Sequence, residues 1–259
     1  MMEILHMSGA GNTFLVLDAR DRELDLSRMA KELCKLYKID GLIAVDRSKT
    51  ADFRLHFYNA DGSRGEMCGN GSRCICRYAY EHGLAGEHMT AQTDAGIVTG
   101  WRIDETHYRV ALNLPGMVDL HRKENTAYVE LGSPGVPHAV MELPGLSWDM
   151  AEDLRRQMRD LRYDPAFPKG ANVNFYTRVD DTAIRLLTYE RGVEDFTLAC
   201  GTGSASTAVV LWLKGQLPAG QLTVKNRGGD LKIQVEGTDN AVTRLLLEGP
   251  TEILGTYTW

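Results

Sequence analysis

Apolar residues at Leu26, Met29, Ala30, Leu33, Cys34 and Tyr37 recur at the spacing of one helix face. The spacing predicts an amphipathic helix lying on another layer, with Ser27 available as its cap. A second such helix is predicted from near Ser147, where Trp148, Ala151, Leu154, Met158 and Leu161 form the stripe. Its charges are ordered, with Asp149, Glu152 and Asp153 early and Arg155, Arg156, Arg159 and Arg162 late, which suits the helix dipole. Residues 205–213 are apolar nearly all round, so that helix is predicted to be buried on most sides. Alternating or β-branched runs at 127–131, 222–225, 231–235 and 242–247, split by Gly, Asn and Asp turns, read as strands. The pattern predicts an α/β (α+β) class of fold, each half a mixed, largely antiparallel sheet curled around a central helix.

The halves echo one another. Cys68-Gly69-Asn70-Gly71-Ser72 is answered by Cys200-Gly201-Thr202-Gly203-Ser204, and each motif runs through an apolar stretch to a glycine, Gly83 or Gly215, at the same interval. Upstream, the strand-like run 53–59 aligns with 184–190, and the opening Gly11-Asn12 with its strand to Asp18 is set against Ala171-Asn172 with its strand to Asp180. So long a period means duplicated domains, not a solenoid. Residues 1–116 and 117–248 are predicted as two pseudo-symmetric lobes.

Composition narrows the function classes. With 43% hydrophobic and 25% charged residues the chain is of ordinary soluble type, and its net charge of −6 offers no basic face for nucleic acid. No apolar run approaches the ~18 residues that span a bilayer, and the N-terminal residues show no signal-peptide pattern. Five cysteines, an odd number, suit reduced thiols, so the cytoplasm is the expected compartment.

A cysteine just before a Gly-rich helix start sits where unpaired backbone N–H groups and the positive helix end favour anions. Such a position lowers a thiol pKa from ~8.5 toward neutrality, so that thiol and thiolate coexist. The glycines let the backbone approach a ligand closely, and the amides can stabilise the charge that grows on a carboxylate as its α-proton leaves. If the two helix starts face each other, one sulfur removes the proton from one side while the other returns a proton to the opposite side. This inverts a stereocentre with neither metal nor organic cofactor. Cys34 reads as core, and Cys74 and Cys76, two apart on a helix, point to nearly opposite sides and read as packing.

Residues 59–74, which contain Asn59-Ala60-Asp61-Gly62 and Cys68-Gly69-Asn70-Gly71, and residues 189–203, which contain Glu190-Arg191 and Cys200-Gly201-Thr202-Gly203, resemble the two active-site signatures of the diaminopimelate epimerase family. Ser8 to Asn12, Asp40-Gly41, Gly170 to Val173, Arg227 to Leu231 and Gly249 to Glu252 resemble further blocks, so the likeness spans nearly the whole chain. The resemblance implies two pseudo-symmetric domains with the site in the cleft, and a last strand around 249–259 that returns to the first. It implies Cys68 and Cys200 as the acid–base pair, with the amides of Gly69, Asn70, Gly201 and Thr202 on the reacting carboxylate. It further implies Asn12, Asn59, Asn172, Glu190 and Arg191 as substrate contacts, and His138 and Glu190 as residues that tune the thiols. The substrate implied is diaminopimelate, converted from the LL to the meso form for lysine and cell-wall precursors. Read without the resemblance, 59–62 is a turn signal, Glu190-Arg191 an exposed ion pair, and His138 a surface or packing residue.

One position departs from the family. Where its members usually have Gly-Asn-Pro-His, this chain has Val136-Pro137-His138, so a side chain that cannot hydrogen-bond replaces the family's substrate-binding Asn. Racemisation of another amino acid, such as histidine, is therefore the alternative on the same fold. Proline-racemase-like enzymes resemble Cys-Gly-His-Gly at the first motif, where this chain has Asn70, and enzymes similar to phenazine-biosynthesis isomerases need no paired cysteines. A non-catalytic anion-binding module is the alternative of another class. The expected partner is a small amino-acid substrate, and the subunit state, monomer or homodimer, is open.

Overall fold

A computed structural model describes residues 2–65, 68–238 and 241–259. Glu66 and Met67, the part of the first signature just before Cys68, lie outside the described residues, as do Met1, Asp239 and Asn240. The chain divides into two compact units, Met1–Ala111 with Glu248–Trp259, and Leu112–Leu247.

The first unit contains β1 (Glu3–Gly9), β2 (Asn12–Asp18), α1 (Leu26–Tyr37), β3 (Gly41–Asp46), β4 (Phe53–Asn59), β5 (Arg64–Gly65), α2 (Gly69–Glu81), β6 (His88–Thr93), β7 (Gly96–Arg102), β8 (His107–Ala111) and β18 (Glu252–Thr258). β18 is antiparallel to β1 and β1 to β2, β2 is parallel to β3, β3 antiparallel to β4, β4 parallel to β6, and β6 antiparallel to β7. The parallel pair explains why residues 14–17 and 41–45 are apolar without alternation, since such strands are covered on both faces. Leu15, Leu17, Leu42 and Ala44 pack under Met29, Ala30, Leu33 and Cys34 of α1. Phe14 and Ile43 turn to the opposite face, toward Gly71 of α2. Each large aliphatic side chain buried here contributes about 1.5–3 kcal/mol. Both predicted faces of α1 hold, but its cap is Asp25, whose carboxylate accepts from the Arg28 amide at 3.1 Å. Ser27 already lies inside the first turn, and its hydroxyl donates to the Gly62 carbonyl at 2.7 Å instead.

The second unit contains β9 (Pro115–Lys123), β10 (Thr126–Gly132), β11 (Gly135–Glu142), a 3-10 turn (Trp148–Met150), α3 (Ala151–Arg162), β12 (Asn172–Asp180), β13 (Ala183–Glu190), β14 (Asp195–Phe196), α4 (Gly201–Leu213), β15 (Gln221–Asn226), β16 (Gly229–Thr238) and β17 (Ala241–Pro250) up to Leu247, the end of that strand belonging to the first unit. β9 is antiparallel to β10 and β10 to β11, β11 is parallel to β12, β12 antiparallel to β13, β13 parallel to β15, and β15 antiparallel to β16. This is the pairing order of the first unit repeated strand for strand. α4 is buried along Gly203–Leu211, as its uniform apolarity requires, and packs against strands from both ends of its own sheet. The class is α+β, with a curled sheet around a central helix in each unit.

The strand order corrects one part of the echo. β3 and β12 hold the same place, parallel to the preceding strand, with Phe14 beside Gly41 in one unit and His138 beside Asn172 in the other. Phe14 therefore corresponds to His138, Gly41 to Asn172, and Asn12, two residues before Phe14, to Val136. Asn12 and Asn172 open strands of similar look that occupy different places, because a short polar-then-apolar start looks the same wherever a strand leaves a turn. Among the described residues, no helix is long and apolar enough to cross a membrane.

Candidate active site

In the first unit Cys68 is the N-cap of α2, with extended backbone (φ −130°, ψ 118°), and its carbonyl accepts the first helical bond from Ser72 N at 2.7 Å. The amides of Gly69 and Asn70 belong to the opening turn, whose N–H groups have no partner within the helix. Asn12 comes to this turn from the start of β2, and the Asn70 Nδ2 donates to Asn12 Oδ1 at 2.6 Å. Asp40 fixes Asn12 from behind: its Oδ2 accepts from the Thr13 amide at 2.8 Å and from Asn12 Nδ2 at 3.4 Å. The β1–β2 turn can approach so closely because position 9 is glycine, where a Cβ would lie 2.7 Å from the Asn70 carbonyl oxygen. Asn59 stands across from Gly41 in the β3–β4 register and is exposed. Its Nδ2 donates to Ser63 Oγ at 3.0 Å, and its carbonyl accepts from Gly62 N at 2.9 Å, so residues 59–62 form the turn their sequence signals.

In the second unit Cys200 caps α4 in the same conformation (φ −117°, ψ 107°), and the Ser204 amide donates to its carbonyl at 2.9 Å. Its sulfur accepts from the Gly203 amide at 3.3 Å and lies 3.5 Å from Thr202 Oγ1. Backbone N–H directed at sulfur favours the thiolate over the thiol. Position 203 admits only glycine, since a Cβ there would sit 2.2 Å from Asn174 Oδ1.

The period of two along β12 builds the rest. Val173 and Phe175 join the core under α3, which leaves Asn172 and Asn174 on the other face, both buried. Asn172 Nδ2 donates to the Pro137 carbonyl at 3.2 Å, and its Oδ1 accepts from the Arg191 amide at 2.8 Å. The Asn174 amide nitrogen lies 3.1 Å from the carbonyls of Ala139 and Asn172 and 3.2 Å from His138 Nδ1, while its Oδ1 accepts from Thr188 Oγ1 at 3.0 Å. Two carbonyls fix which end of that amide carries hydrogen, so Nδ1 of His138 meets a donor and the imidazole proton belongs on Nε2. His138 has no exposed surface, and burial, aided by the charge of Arg191, pushes its pKa down to about 3. It is a neutral hydrogen-bond donor in the interior and not a surface residue.

Glu190 is half-buried at the end of β13. Arg191 is exposed and its Nη1 donates to the Lys169 carbonyl at 3.0 Å. Lys169 in turn pairs with Glu130 at 2.9 Å, whose carboxyl is held below its usual range first by the Tyr128 hydroxyl at 2.6 Å and then by that ammonium. Val136 is exposed on β11. Within the first unit the structure thus joins Asn12 to Asn70 beside Cys68; within the second it joins His138, Asn172 and Arg191, and sets Thr202 beside Cys200. The sequence reading missed Asn174, although it is two residues beyond Asn172 on the same strand face, and it missed Arg73, which is wholly buried. Cys34, Cys74 and Cys76 are buried, and burial pushes their thiols up to about 11, 12 and 12. They pack, as expected from their places on α1 and α2.

A family model for diaminopimelate epimerase matches residues 4–115 and 132–252. The chain is 34% identical to the diaminopimelate epimerase of a Hydrogenobaculum species over 96% of this chain and 95% of that protein. It is 35% identical to that of Aquifex aeolicus over 89% of this chain and 88% of the other. Among solved structures, a phenazine biosynthesis protein of the PhzF family from Bacillus anthracis superposes with a TM-score of 0.74 at 13% identity, over 99% of this chain and 98% of that one. A probable proline racemase from Agrobacterium radiobacter, with bound carbonate, gives 0.69 at 15% identity over 100% and 93%. At these identities the likeness to the two solved structures is one of fold.

Proposed function

The chain belongs to the diaminopimelate epimerase family of isomerases, and from that premise we propose that it inverts the α-carbon of diaminopimelate by a two-base exchange between Cys68 and Cys200. The observation that carries this reading is the matched pair of helix starts, each capped by a cysteine and opened by a Gly-rich turn, on two units of the same strand order. One sulfur, as thiolate, takes the α-proton. The electron pair left on carbon spreads into the adjoining carboxylate, where the amides of Gly69, Asn70, Gly201 and Thr202 meet the growing charge. The other sulfur, as thiol, gives its proton to the opposite side of the carbon. One proton has left the substrate and one has entered it, the configuration is reversed, and the two sulfurs have exchanged roles.

Asn12, Asn59, Asn172, Glu190 and Arg191 are the proposed contacts to the amino and carboxylate groups. A fork that is always charged suits a distal carboxylate, and Arg191 is anchored for that task through Asn172 and Lys169. His138 and Glu190 are the proposed tuning residues, with the Nε2 proton of His138 available as a donor. The proposed compartment is the cytoplasm, where thiols of this kind stay reduced. A second reading keeps the chemistry and changes the substrate: with Val136 on β11 where the family has an amide, the same exchange would act on another amino acid, such as histidine.

The test is incubation in deuterated water with LL- and meso-diaminopimelate, then histidine, lysine and glutamate, reading label at Cα. We expect label with diaminopimelate, and Cys68→Ala or Cys200→Ala to slow inversion by at least about 100-fold each. Label with histidine alone replaces the substrate, and a chain that binds an amino acid without labelling it under any condition is an anion-binding module.

A further inference from the structure

α2 carries a full charge into the interior of the first unit. Arg73 has 0% of its surface exposed, yet it sits in the second turn of a helix that packs on β1, β2, β3, β7 and β8. Helical side chains lean toward the N-terminus, and the guanidinium accordingly reaches back one turn, where Nη1 donates to the Gly69 carbonyl at 3.3 Å. Among the described residues, its Nε and Nη2 meet no hydrogen-bond acceptor. The ionisable groups of the packing strands are engaged elsewhere: His6 stacks on Tyr257, Asp18 pairs with Arg20, Asp46 with His56, Arg102 with Glu87 and Arg109 with Glu248. Glu3 is exposed, His107 pairs with Asp104, and Tyr108 is buried on β8. Among the described residues, the groups whose charge reaches Arg73 are three thiols, Cys74, Cys68 and Cys76.

A buried cation with two unpaired donors opposes folding, and the architecture does not call for it. At the matching place on α4, five residues beyond Cys200, the second unit has Ala205, equally buried. Burial lowers the guanidinium pKa to about 10, which leaves it protonated at neutral pH. Of the three thiols, Cys74 and Cys76 are held neutral by burial. Among the described residues that reach Arg73, Cys68, half-buried at the helix start, is the one placed to answer with a negative charge.

We propose that Arg73 is a positioning residue, the buried counter-charge of the Cys68 thiolate, which lets Cys68 ionise in the resting protein, whereas the matching place in the second unit holds Ala205. Cys200 receives the Gly203 amide at its sulfur. The inference rests on Cys68 being one of the two exchanging groups.

The test reads ionisation and not turnover. Iodoacetamide alkylation of the full chain, followed peptide by peptide from about pH 5 to 9, reports each cysteine separately, because only thiolate reacts. In Arg73→Met we expect the Cys68 midpoint to rise by about one pH unit or more, the Cys200 midpoint to stay, and the melting temperature to hold or rise, since an apolar side chain replaces an unpaired charge. Arg73→Lys keeps the charge and should restore most of the acidity. Equal Cys68 midpoints in all three proteins, or a joint shift of both cysteines, overturns the proposal. So does a failure of both variants to fold, which would assign Arg73 to the architecture. Absence of turnover in the wild type would remove the epimerase reading while leaving this titration standing.

Discussion

His138 shows how one side chain's burial sets its chemistry. Its pKa is pushed down to about 3 from an ordinary 6.5, so below pH ~6.5 the unfolded chain takes up a proton that the native state refuses. Stability should therefore fall as pH drops from about 6.5 toward about 3, and urea midpoints of the wild type and His138→Gln should differ in slope across that window. At assay pH the imidazole stays neutral, so it adds no limb to the rate profile. Val136 makes the second prediction at this scale. It occupies the counterpart of Asn12, and Asn12 is held by both Asn70 and Asp40. If diaminopimelate is the substrate, Val136→Asn supplies a missing hydrogen bond, and KM should fall about fivefold or more with kcat little changed, the equivalent of about 1 kcal/mol. An unchanged KM would favour the amino acid whose side chain has no use for that amide. The cysteines, the glycines beside them and the turn at 59–62 were legible in the sequence because short motifs carry their own geometry. Arg73 and Asn174 were not, because nothing local distinguishes a buried polar residue from an exposed one until the packing partner is known.

Among the elements, periodicity carried most of the information. The stripes of α1 and α3, the all-round apolarity of α4 and the strands of the second unit lie where their patterns put them. What escaped was the detail that several residues could satisfy: Ser27 and Asp25 are both competent caps, and the outcome turned on which lay just outside the first turn. Asp25→Ala should cost about 1 kcal/mol in denaturant unfolding, and Ser27→Ala should cost less than its buried neighbours, because its bond to Gly62 ties a loop and not the helix end. Equal losses would mean the cap is shared. The match of Asn12 with Asn172 also failed at this scale. Strand identity in a duplicated fold is set by pairing partners, and a window of a few residues contains none of them.

For the molecule as a whole, the duplication is of topology more than of residues. The same order of parallel and antiparallel pairs occurs twice, while Phe14 answers His138, Gly41 answers Asn172 and Arg73 answers Ala205. Symmetric scaffolding thus carries unlike residues at matching places. The first unit also borrows its outermost strand, β18, whose Tyr257 stacks on Tyr37 at 4.0 Å between ring centres and lies beside His6. Removal of residues 252–259 should strip amide-exchange protection from β1 and β2 while α4 keeps its own, a contrast that exchange mass spectrometry resolves. Loss of protection throughout would mean the units do not fold separately. Because the partner of β1 follows the whole second unit in the chain, β1 must wait with one edge unpaired until that unit has been made. The later-made unit, continuous in sequence, is complete before it. Synthesis and assembly thus run in opposite directions along this chain, and the exposed edge of β1 is the surface that a nascent-chain chaperone would have to shield in the interval.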